Sequence, residues 1–355
     1  MRETVGIGML GTGFIGEFHS QGLRYVPAAR RVVAYGRDAE RRESFATRNA
    51  YARTTDSIEA VCADPEVDLV VVSLPNQLHV EAVRTAAKYG KGVACTKPLA
   101  RNLDEAAEMV RLATDAGIWH GYLENVVFNA EIMRMRELVV AGSIGTPVTF
   151  RSREAHSGPH AAHFWDAETS GGGALLDMAS HGIEAARYLF GKDQVIREAF
   201  AWGDTLVHRG RTTGEDNAVM VMRFDDGRAA TMDVSWSSRG GLEGRFELTG
   251  TGGRVINDMA STSIRAFIEE PAGYLGEKAD SDTGWVFPVP NETYVHGHDE
   301  MMGHMVEAFR TGAAPRETFH DGLAVNAVLD AAYRSMGSRH WEAVAAGATV
   351  TTGAR

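Results

Sequence analysis

Asp177 and His181 are the residues whose type and spacing most directly suggest acid–base chemistry in this sequence. They lie four positions apart in a segment with helical periodicity, so both side chains project from one face of a predicted helix. The carboxylate could fix the imidazole tautomer and support its protonated form, leaving His181 as a general base. Lys97 follows a predicted buried strand, where it could hold a substrate oxygen and share in proton transfer. Without the nucleotide-binding motif described next, an Asp–His pair on a helix surface and a solvated lysine would be the favoured interpretation.

A glycine-rich stretch near the N-terminus has the spacing of a dinucleotide-binding fingerprint, Gly11-Thr12-Gly13-Phe14-Ile15-Gly16. It directly follows a predicted strand, Val5–Leu10, and opens a helix near Phe14, which is the context such a motif requires. Gly11 permits the tight turn, Gly13 lets the backbone approach a pyrophosphate, and Gly16 allows close helix–strand packing. The backbone amides of the first helical turn, including Phe14 and Ile15, would face the phosphates.

The acidic residue expected about 20 positions after the fingerprint is missing, since Gly36 and Arg37 stand there instead. A carboxylate at this point would bind the ribose hydroxyls and repel a 2′-phosphate. Gly36 removes that repulsion, and Arg37 could pair with a 2′-phosphate, lie flat on adenine or remain solvated. Asp38 could still reach the ribose. The sequence therefore predicts either NAD or NADP as cofactor, with a slight preference for a site that tolerates NADP.

Length and composition restrict the class of protein. A chain of 355 residues suits two domains, and a formal net charge of −11 argues against a nucleic-acid partner. Cys62 and Cys95 lie in apolar runs whose spacing fits neither a zinc site nor a disulfide framework, so we expect buried thiols. The N-terminus does not resemble a signal peptide, and no apolar run approaches the ~18 residues of a membrane span. We expect a cytoplasmic protein with no membrane partner.

The first 120 residues alternate short apolar runs with amphipathic segments, which predicts a parallel sheet covered on both faces. The predicted strands are Val5–Leu10, Arg31–Tyr35, Leu69–Leu74, Gly92–Cys95 and a last one at Trp119–Val127. The predicted helices are Asp38–Asn49, Ser57–Cys62, Leu78–Lys88 and Leu103–Ala116.

The middle of the chain has turn signals between strands, which predicts a large and mostly antiparallel open sheet. Its predicted strands are Pro147–Glu154, Val195–Asp204, Ala218–Phe224, Ala229–Trp236, Gly244–Leu248 and Arg254–Asp258, with helices at Glu131–Ala141 and Leu175–Phe190. A long loop is expected at 271–290, helical structure at 298–337 and a short strand at Ala348–Thr351. A broad exposed sheet face usually packs against another copy, so we expect a homodimer or homotetramer.

Three further stretches occur in order along the chain: "LPNQLH" at 74–79, "CTKPLA" at 95–100 and "GGGALLDMASH" at 171–181. Together with the fingerprint, they resemble the Gfo/Idh/MocA oxidoreductases. The resemblance implies an α/β protein with a Rossmann domain at 1–122 and a substrate-binding and oligomerisation domain at 123–355, whose C-terminal helix and tail pack back on the first. It also implies NAD(P)-dependent chemistry on a hydroxyl of a carbohydrate-like molecule. Its catalytic residues would be Lys97, Asp177 and His181, and its further cofactor contacts Pro75, Asn76, His79, Thr96 and Lys97.

Two positions depart from the family pattern. Thr96 replaces the glutamate that usually precedes the lysine, so we expect the Lys97 ammonium to be less stabilised, with a lowered pKa. Glu124-Asn125 stands where many relatives have an aromatic–Arg–aromatic run.

The segment "RSREAHSGPHAAHFWD" at 151–166 is dense in cationic and protonatable groups. It predicts a substrate pocket for a sugar, including one with a carboxylate or sulfonate, or alternatively a metal site of three histidines joined by Asp177 and Glu124. A surface loop with scattered histidines is the third possibility. We favour the substrate pocket over the metal, with contacts from Glu124, Arg153, His156, His160, His163 and Trp165. His296 and His298 could also reach the cleft.

Two enzymatic functions fit these residues. The first is a dehydrogenase that releases an oxidised sugar, sugar acid, glycoside or polyol and reduced cofactor. The second is an NAD-dependent glycosidase of the kind found in the family, acting by transient oxidation, elimination and re-reduction, with an anionic glycoside as one possible substrate. Glu124 or a histidine of the 156–163 segment would be its extra base. A nucleotide sensor without catalysis is disfavoured by the presence of Lys97, Asp177 and His181.

Overall fold

The computed structural model describes residues 3–259, 266–289 and 291–345. Strands and helices alternate up to residue 123, and the six strands form one parallel sheet in the order β3-β2-β1-β4-β5-β6. The elements are β1 Val5–Leu10, α1 Phe14–Gly22, β2 Ala29–Tyr35, α2 Ala39–Asn49, β3 Arg53–Thr55, α3 Ile58–Ala63, β4 Leu69–Val72, α4 His79–Lys88, β5 Gly92–Thr96, α5 Leu103–Asp115 and β6 His120–Leu123. This doubly wound sheet is the parallel sheet predicted for a Rossmann domain, and its strand order reverses between β1 and β4, where such folds bind ligands.

The local sequence explains most of these boundaries. Every residue of β1, β4 and β5 is buried, as expected for strands covered by helices on both faces. Asp38, Ser57 and Asn102 accept hydrogen bonds from backbone amides at the starts of α2, α3 and α5, and so act as N-caps. The three-residue strand β3 is not predicted from the sequence, because Arg53, Thr54 and Thr55 are polar and form no apolar run.

The predicted strand at Trp119–Val127 is too long. The strand β6 ends at Leu123, and residues Asn125–Phe128 form a 3₁₀ helix. The Glu124 side chain accepts a hydrogen bond from the Val126 amide, and this bond fixes the turn that ends the strand. The consequence for the site is that Glu124 lies at the carboxyl edge of the parallel sheet.

Beyond residue 123, seven strands form a second sheet in the order β12-β11-β7-β10-β9-β8-β15. All its neighbouring strands are antiparallel except β7 and β10, which confirms the predicted mostly antiparallel sheet. The elements are α6 Ala130–Val140, β7 Pro147–Ala155, α7 Ala167–Ser170, α8 Ala174–Phe190, β8 Ile196–Asp204, β9 Asn217–Phe224, β10 Ala229–Ser235, β11 Glu243–Gly250, β12 Gly253–Asp258, β13 Ala266–Ile268, β14 Gly284–Val286, α9 Glu292–Val295, α10 His298–Thr311, α11 Phe319–Ser338 and β15 Glu342–Ala343.

One face of this sheet is covered by α8, of which every residue but Tyr188 is buried. The opposite face carries the exposed apolar side chains Val148, Trp202, Val219 and Ile256. Helix α10 packs against α1, and helix α11 packs against α5; α1 and α5 are two of the helices that cover the first sheet. Among the described residues, no helix has the length and apolar character needed to cross a membrane.

The segment predicted as a long loop at 271–290 contains a short strand, β14, which pairs with β13 in a two-stranded sheet. The strand predicted at Ala348–Thr351 lies outside the described residues. Both cysteines are buried free thiols, as predicted.

Candidate active site

A cleft of about 1010 Å³ runs from the fingerprint loop to the α8-covered side of the second sheet. We call its two halves the nucleotide end, which begins at Thr12 and Gly13, and the substrate end, which contains Lys97 and His181. The cleft lies at the carboxyl ends of β1, β2, β4 and β5, the edge at which open parallel sheets bind ligands.

The three fingerprint glycines have different structural roles. A side chain on Gly11, whose φ is +113°, would meet the carbonyl oxygen of Ser73, and one on Gly16 would meet the carbonyl oxygen of Gly11. Around Gly13 the nearest atom to an added Cβ is the Arg41 Nη2, at 4.0 Å. Gly13 is the N-cap residue of α1 and no side chain among the described residues caps this helix. Free amides facing open space fit the pyrophosphate of a dinucleotide.

The far side of the nucleotide end contains Gly36, Arg37 and Asp38. A Cβ on Gly36 would lie 2.7 Å from the Thr12 Oγ1, so close packing of the fingerprint loop explains the glycine. The Asp38 Oδ1 accepts a hydrogen bond of 2.7 Å from the Arg41 amide and thereby caps α2. Arg37 lines the cleft with an exposed side chain. Among the described residues of this site, Arg37 is present, and Gly36 stands where a ribose-binding acid would be expected.

Of the residues predicted as further cofactor contacts, Pro75, Asn76 and Thr96 line the cleft, but His79 does not belong to it. The His79 ring is buried, with its two nitrogens 2.9 Å from the Leu74 carbonyl oxygen and 3.0 Å from the Leu99 carbonyl oxygen. His79 thus braces the loops on either side of it, and its prediction as a cofactor contact is corrected to a structural role.

Lys97 and Asp177 form an ion pair at the substrate end. The Lys97 Nζ donates to the Asp177 backbone oxygen at 2.8 Å and to its Oδ1 at 3.0 Å, while the Trp236 Nε1 donates to the Asp177 Oδ2 at 3.1 Å. Burial alone would lower the pKa of Lys97, but the carboxylates of Asp177, Glu154 and Glu124 raise it above its usual value. The predicted lowering of the Lys97 pKa is therefore wrong, because carboxylates from other elements replace the one missing at Thr96.

His181 pairs with Glu124 and not with Asp177, so the predicted Asp177–His181 hydrogen bond is wrong. The His181 Nδ1 lies 2.5 Å from the Glu124 Oε1, and the oxygens of Asp177 are taken by Lys97 and Trp236. A carboxylate only accepts hydrogen bonds, so Nδ1 carries the proton and Nε2 is the reactive nitrogen. Burial lowers the pKa of His181, but Glu124 and Glu154 together raise it above its usual value, against the opposing charge of Lys97.

Glu124 supports the His181 ring from outside the cleft. It is completely buried and does not line the cleft, so its predicted role as a direct substrate contact is corrected to that of a positioning residue for His181. The reason is the turn after β6, which directs the carboxylate at both the Val126 amide and the His181 ring.

The histidines of the 156–163 segment, predicted as substrate contacts, line the cleft. Burial lowers the pKa of His156 to about 3 and that of His163 to about 4, and it also lowers the pKa of His160. These rings are therefore neutral at physiological pH and supply no positive charge for an anionic substrate.

Arg153 and Trp165, also predicted as substrate contacts, lie outside the cleft. Consecutive residues of a strand face opposite sides of the sheet. Arg153 therefore faces away from α8, where it pairs with Asp233 at 2.8 Å and Glu243 at 2.9 Å. Trp165 packs between the Trp236 ring, at 5.5 Å, and the Arg211 guanidinium, at 3.8 Å.

Sequence reasoning missed three charged residues of the substrate end: Glu154, Glu277 and Lys278. The Glu154 Oε1 lies 4.0 Å from the His181 Nε2. Alternation along β7 could have found it, because Glu154 must face opposite to Arg153. Glu277 and Lys278 come from the segment between β13 and β14, where no periodic pattern pointed to the cleft. His296 and His298 do line the cleft, as predicted.

The three-histidine metal site, which the sequence offered only as the less favoured alternative to a substrate pocket, does not form within the described residues. Only two groups there bring three metal-ligating side chains together: Glu277, Glu292 and His296, and Glu184, Glu317 and Asp321. The second group already surrounds the ammonium of Lys192, at 2.6 Å from Glu317 and 3.0 Å from Asp321.

Comparison with known proteins identifies the fold and the class of enzyme. Residues 5–121 match the profile of the oxidoreductase family with an NAD-binding Rossmann fold, and residues 132–256 match the profile of the GFO/IDH/MocA C-terminal domain. The 1,5-anhydro-D-fructose reductase of Ensifer adhaerens is 32% identical over 226 residues, which cover 63% of this chain and 67% of that protein. Myo-inositol 2-dehydrogenase of Thermotoga maritima is 29% identical, over 89% of this chain and 91% of that protein.

Among solved structures, GenD2 from gentamicin A biosynthesis, in complex with NAD, superposes with a TM-score of 0.90 at 29% identity and covers 98% of both chains. The matches to both family profiles, the shared fold and the dehydrogenase relatives agree with the cleft described above. This chain belongs to the Gfo/Idh/MocA family of NAD-binding oxidoreductases.

Proposed function

We propose that this enzyme is a dehydrogenase that transfers a hydride between nicotinamide and a hydroxyl-bearing carbon of a sugar, sugar acid, glycoside or cyclic polyol. The observation that carries the proposal is that Lys97 and the Glu124-supported His181 share one cleft with the fingerprint loop. The relatives named for inositol and anhydrofructose support a carbohydrate-like substrate.

NAD, when bound, supplies the hydride acceptor, and the cleft residues supply the rest of the chemistry. The amides at Gly13, Phe14 and Ile15 would hold the pyrophosphate, with Pro75, Asn76 and Thr96 further along the cleft. Gly11 and Gly16 act by letting the loop and helix pack closely.

The proton of the substrate hydroxyl goes to the Nε2 of His181. Glu124 keeps the proton of the other ring nitrogen in place and stabilises the imidazolium that results. Lys97 donates a hydrogen bond to the substrate oxygen, while Asp177 holds the ammonium in position and is itself held by Trp236. Because both Lys97 and His181 have raised pKa values, their protonated forms favour reduction of a ketone at neutral pH and oxidation of an alcohol at higher pH.

NADP should be accepted as well as NAD. The nucleotide end presents Arg37 and lacks an acid at Gly36, and the only nearby carboxylate among the described lining residues, that of Asp38, caps α2. A 2′-phosphate would therefore meet an arginine and no carboxylate that is free of another role.

Glu154 favours one alternative function, the redox-neutral glycosidase. Its carboxylate faces the cleft beside the His181 Nε2 and could remove the proton next to a transiently oxidised carbon. It suits this role better than the bases expected from the sequence. Glu124 is buried behind His181, and burial lowers the pKa of His156, His160 and His163, which makes these rings weaker bases.

We further propose a cytoplasmic homodimer or homotetramer. The uncovered sheet face with Trp202 and Ile256 would be the contact between copies, since an exposed sheet of this size usually associates. Two buried reduced cysteines fit a reducing compartment. A strictly monomeric mass by light scattering would contradict the assembly.

The test of the function is a screen of sugars, sugar acids, polyols and glycosides with NAD and NADP, following nicotinamide absorbance and product together. A dehydrogenase gives equal amounts of oxidised product and reduced cofactor. Product without net absorbance change would establish the glycosidase instead, and neither signal with any carbohydrate would contradict both.

A further inference from the structure

The carboxylate of Glu154 lines the substrate end, is mostly buried and accepts no hydrogen bond from any described residue. Glu154 pairs in register with Val234 of β10 and Gly244 of β11, and residues paired across neighbouring strands face the same side of a sheet. One of these neighbours is apolar and the other has no side chain, so neither donates to the carboxylate. Its oxygens are therefore left for a ligand in the cleft.

This carboxylate lies beside the reactive nitrogen of His181. The Glu154 Oε1 is 4.0 Å from the His181 Nε2, which is longer than a hydrogen bond. Burial raises the pKa of Glu154 above its usual value, although the charges of His181 and Lys97 act against the increase. The protein thus compensates the charge of Glu154 only in part, which favours a ligand that donates a hydrogen bond to it.

Two acceptors at this separation match two hydroxyl groups better than one. In the proposed oxidation, the reacting hydroxyl gives its proton to the His181 Nε2 and accepts a hydrogen bond from Lys97. A hydroxyl has a single proton, so the same group cannot also donate to Glu154. Hydroxyl oxygens on adjacent carbons lie about one hydrogen-bond length apart when they are gauche. A second hydroxyl of this kind can therefore donate to a carboxylate oxygen 4.0 Å from the Nε2.

We infer that Glu154 binds the hydroxyl on the carbon next to the one that is oxidised, so that the enzyme selects vicinal diols. A substrate without that hydroxyl leaves the carboxylate in the cleft without a donor, which costs affinity. The inference rests on the proposed function, because it assigns a specificity-determining residue to the same cleft. It differs from the glycosidase alternative, in which Glu154 removes a proton from carbon.

Pairing with protonated His181 is another use of the Glu154 carboxylate, and a comparison of ligands separates it from the diol contact. A charge placed beside His181 affects the binding of all alcohols alike. The diol contact affects only those alcohols that carry a second hydroxyl next to the first. The ratio of two affinities measured in the same variant therefore reports the diol contact alone.

The test is calorimetric binding of small cyclic alcohols to the full-length protein loaded with NADH, at alkaline pH, where His181 is neutral. The probes are cyclohexanol, cis- and trans-1,2-cyclohexanediol and trans-1,4-cyclohexanediol, which share one ring and differ in the second hydroxyl. We expect at least one 1,2-diol to bind about tenfold more tightly than cyclohexanol, the gain that one hydrogen bond to a charged group provides. The 1,4-diol should show no comparable gain.

Glu154→Met removes the acceptor oxygens at a similar side-chain length and should bring the ratio of 1,2-diol to cyclohexanol affinity close to one. Glu154→Gln keeps the shape and one acceptor oxygen, so it should lower the ratio partway and tests the contact even where Glu154→Met folds poorly. Glu243→Gln is the matched control, since Glu243 lies on the neighbouring strand and pairs with Arg153 on the opposite face of the sheet. It should keep the full ratio.

Two results would overturn the inference: a ratio that stays at its full value in the folded Glu154 variants, or no 1,2-diol that binds better than cyclohexanol. Nicotinamide absorbance, followed with NAD in place of NADH, separates this inference from the proposed function. Oxidation of alcohols or sugars without a diol preference would reject the diol site and keep the dehydrogenase. A Glu154-dependent diol preference in binding, without absorbance change for any alcohol or sugar, would keep the diol site and reject the dehydrogenase.

Discussion

The nucleotide end and the substrate end of the cleft are built by different means. The first is mostly backbone: a turn at Gly11, the amides after Gly13 and a glycine packed against Thr12. The second consists of charged side chains from separate elements, with Lys97 after β5, Glu124 after β6 and His181 on α8. A site made of backbone depends on residues close together in sequence, whereas a site made of side chains depends on how distant elements pack.

The largest expected effect is at the substrate end. Lys97→Met should lower kcat by about 100- to 10,000-fold, the range typical of a general acid–base group, because the substrate oxygen loses its donor. Affinity for NADH should change far less. Steady-state kinetics and NADH fluorescence titration measure the two, with Lys88→Met, an exposed lysine paired with Glu59, as control. Near-normal kcat in Lys97→Met would remove this residue from the chemistry.

Two glycines allow a sharper test at the nucleotide end. Gly13→Ala adds a methyl group where only the ligand should come close, so NADH should bind about tenfold more weakly, with only the small loss of thermal stability that alanine causes at an N-cap. Gly16→Ala places the same group against the Gly11 carbonyl, so both stability and binding should fall. Thermal unfolding and fluorescence titration of both variants provide the comparison. Equal effects of the two substitutions on stability would contradict the assignment of Gly13 to the phosphates.

The smallest effect concerns the choice between NAD and NADP. Arg37→Ala should weaken NADP by about fivefold, the loss of an exposed ion pair worth about 1 kcal/mol, and NAD by less. Kd values from fluorescence titration decide this, with the exposed Arg111→Ala as control. Equal losses for both cofactors would show that Arg37 contacts a part they share. Rejection of NADP by the unaltered enzyme would show that a carboxylate such as Asp38 binds the ribose.

The same contrast explains what could be predicted from the sequence. The parallel sheet and the fingerprint were predictable because buried apolar strands and closely spaced glycines are local patterns. The sequence also identified Lys97, His156 and His181 as candidate site residues, and all three line the cleft.

The partners of these residues were not predictable. Spacing along α8 suggested that Asp177 supports His181, but the fold brings Lys97 and Trp236 to the Asp177 carboxylate. The true partner, Glu124, is 57 positions away in sequence. It is positioned by the turn after β6, which the sequence pattern had assigned to a longer strand. Glu277 reaches the cleft from an irregular segment, for which no periodicity exists to be detected.

The most direct test of this account is the pH dependence of kcat/KM for alcohol oxidation in the unaltered enzyme, Glu124→Gln and Asp177→Asn. Oxidation requires neutral His181, so activity falls as pH drops through the raised pKa of that ring. Glu124→Gln removes the carboxylate that raises this pKa, so the acidic limb of the profile, where kcat/KM falls as the pH drops, should move to lower pH. Asp177→Asn should lower the rate and leave that limb in place. A limb that moves in Asp177→Asn and stays fixed in Glu124→Gln would contradict the account.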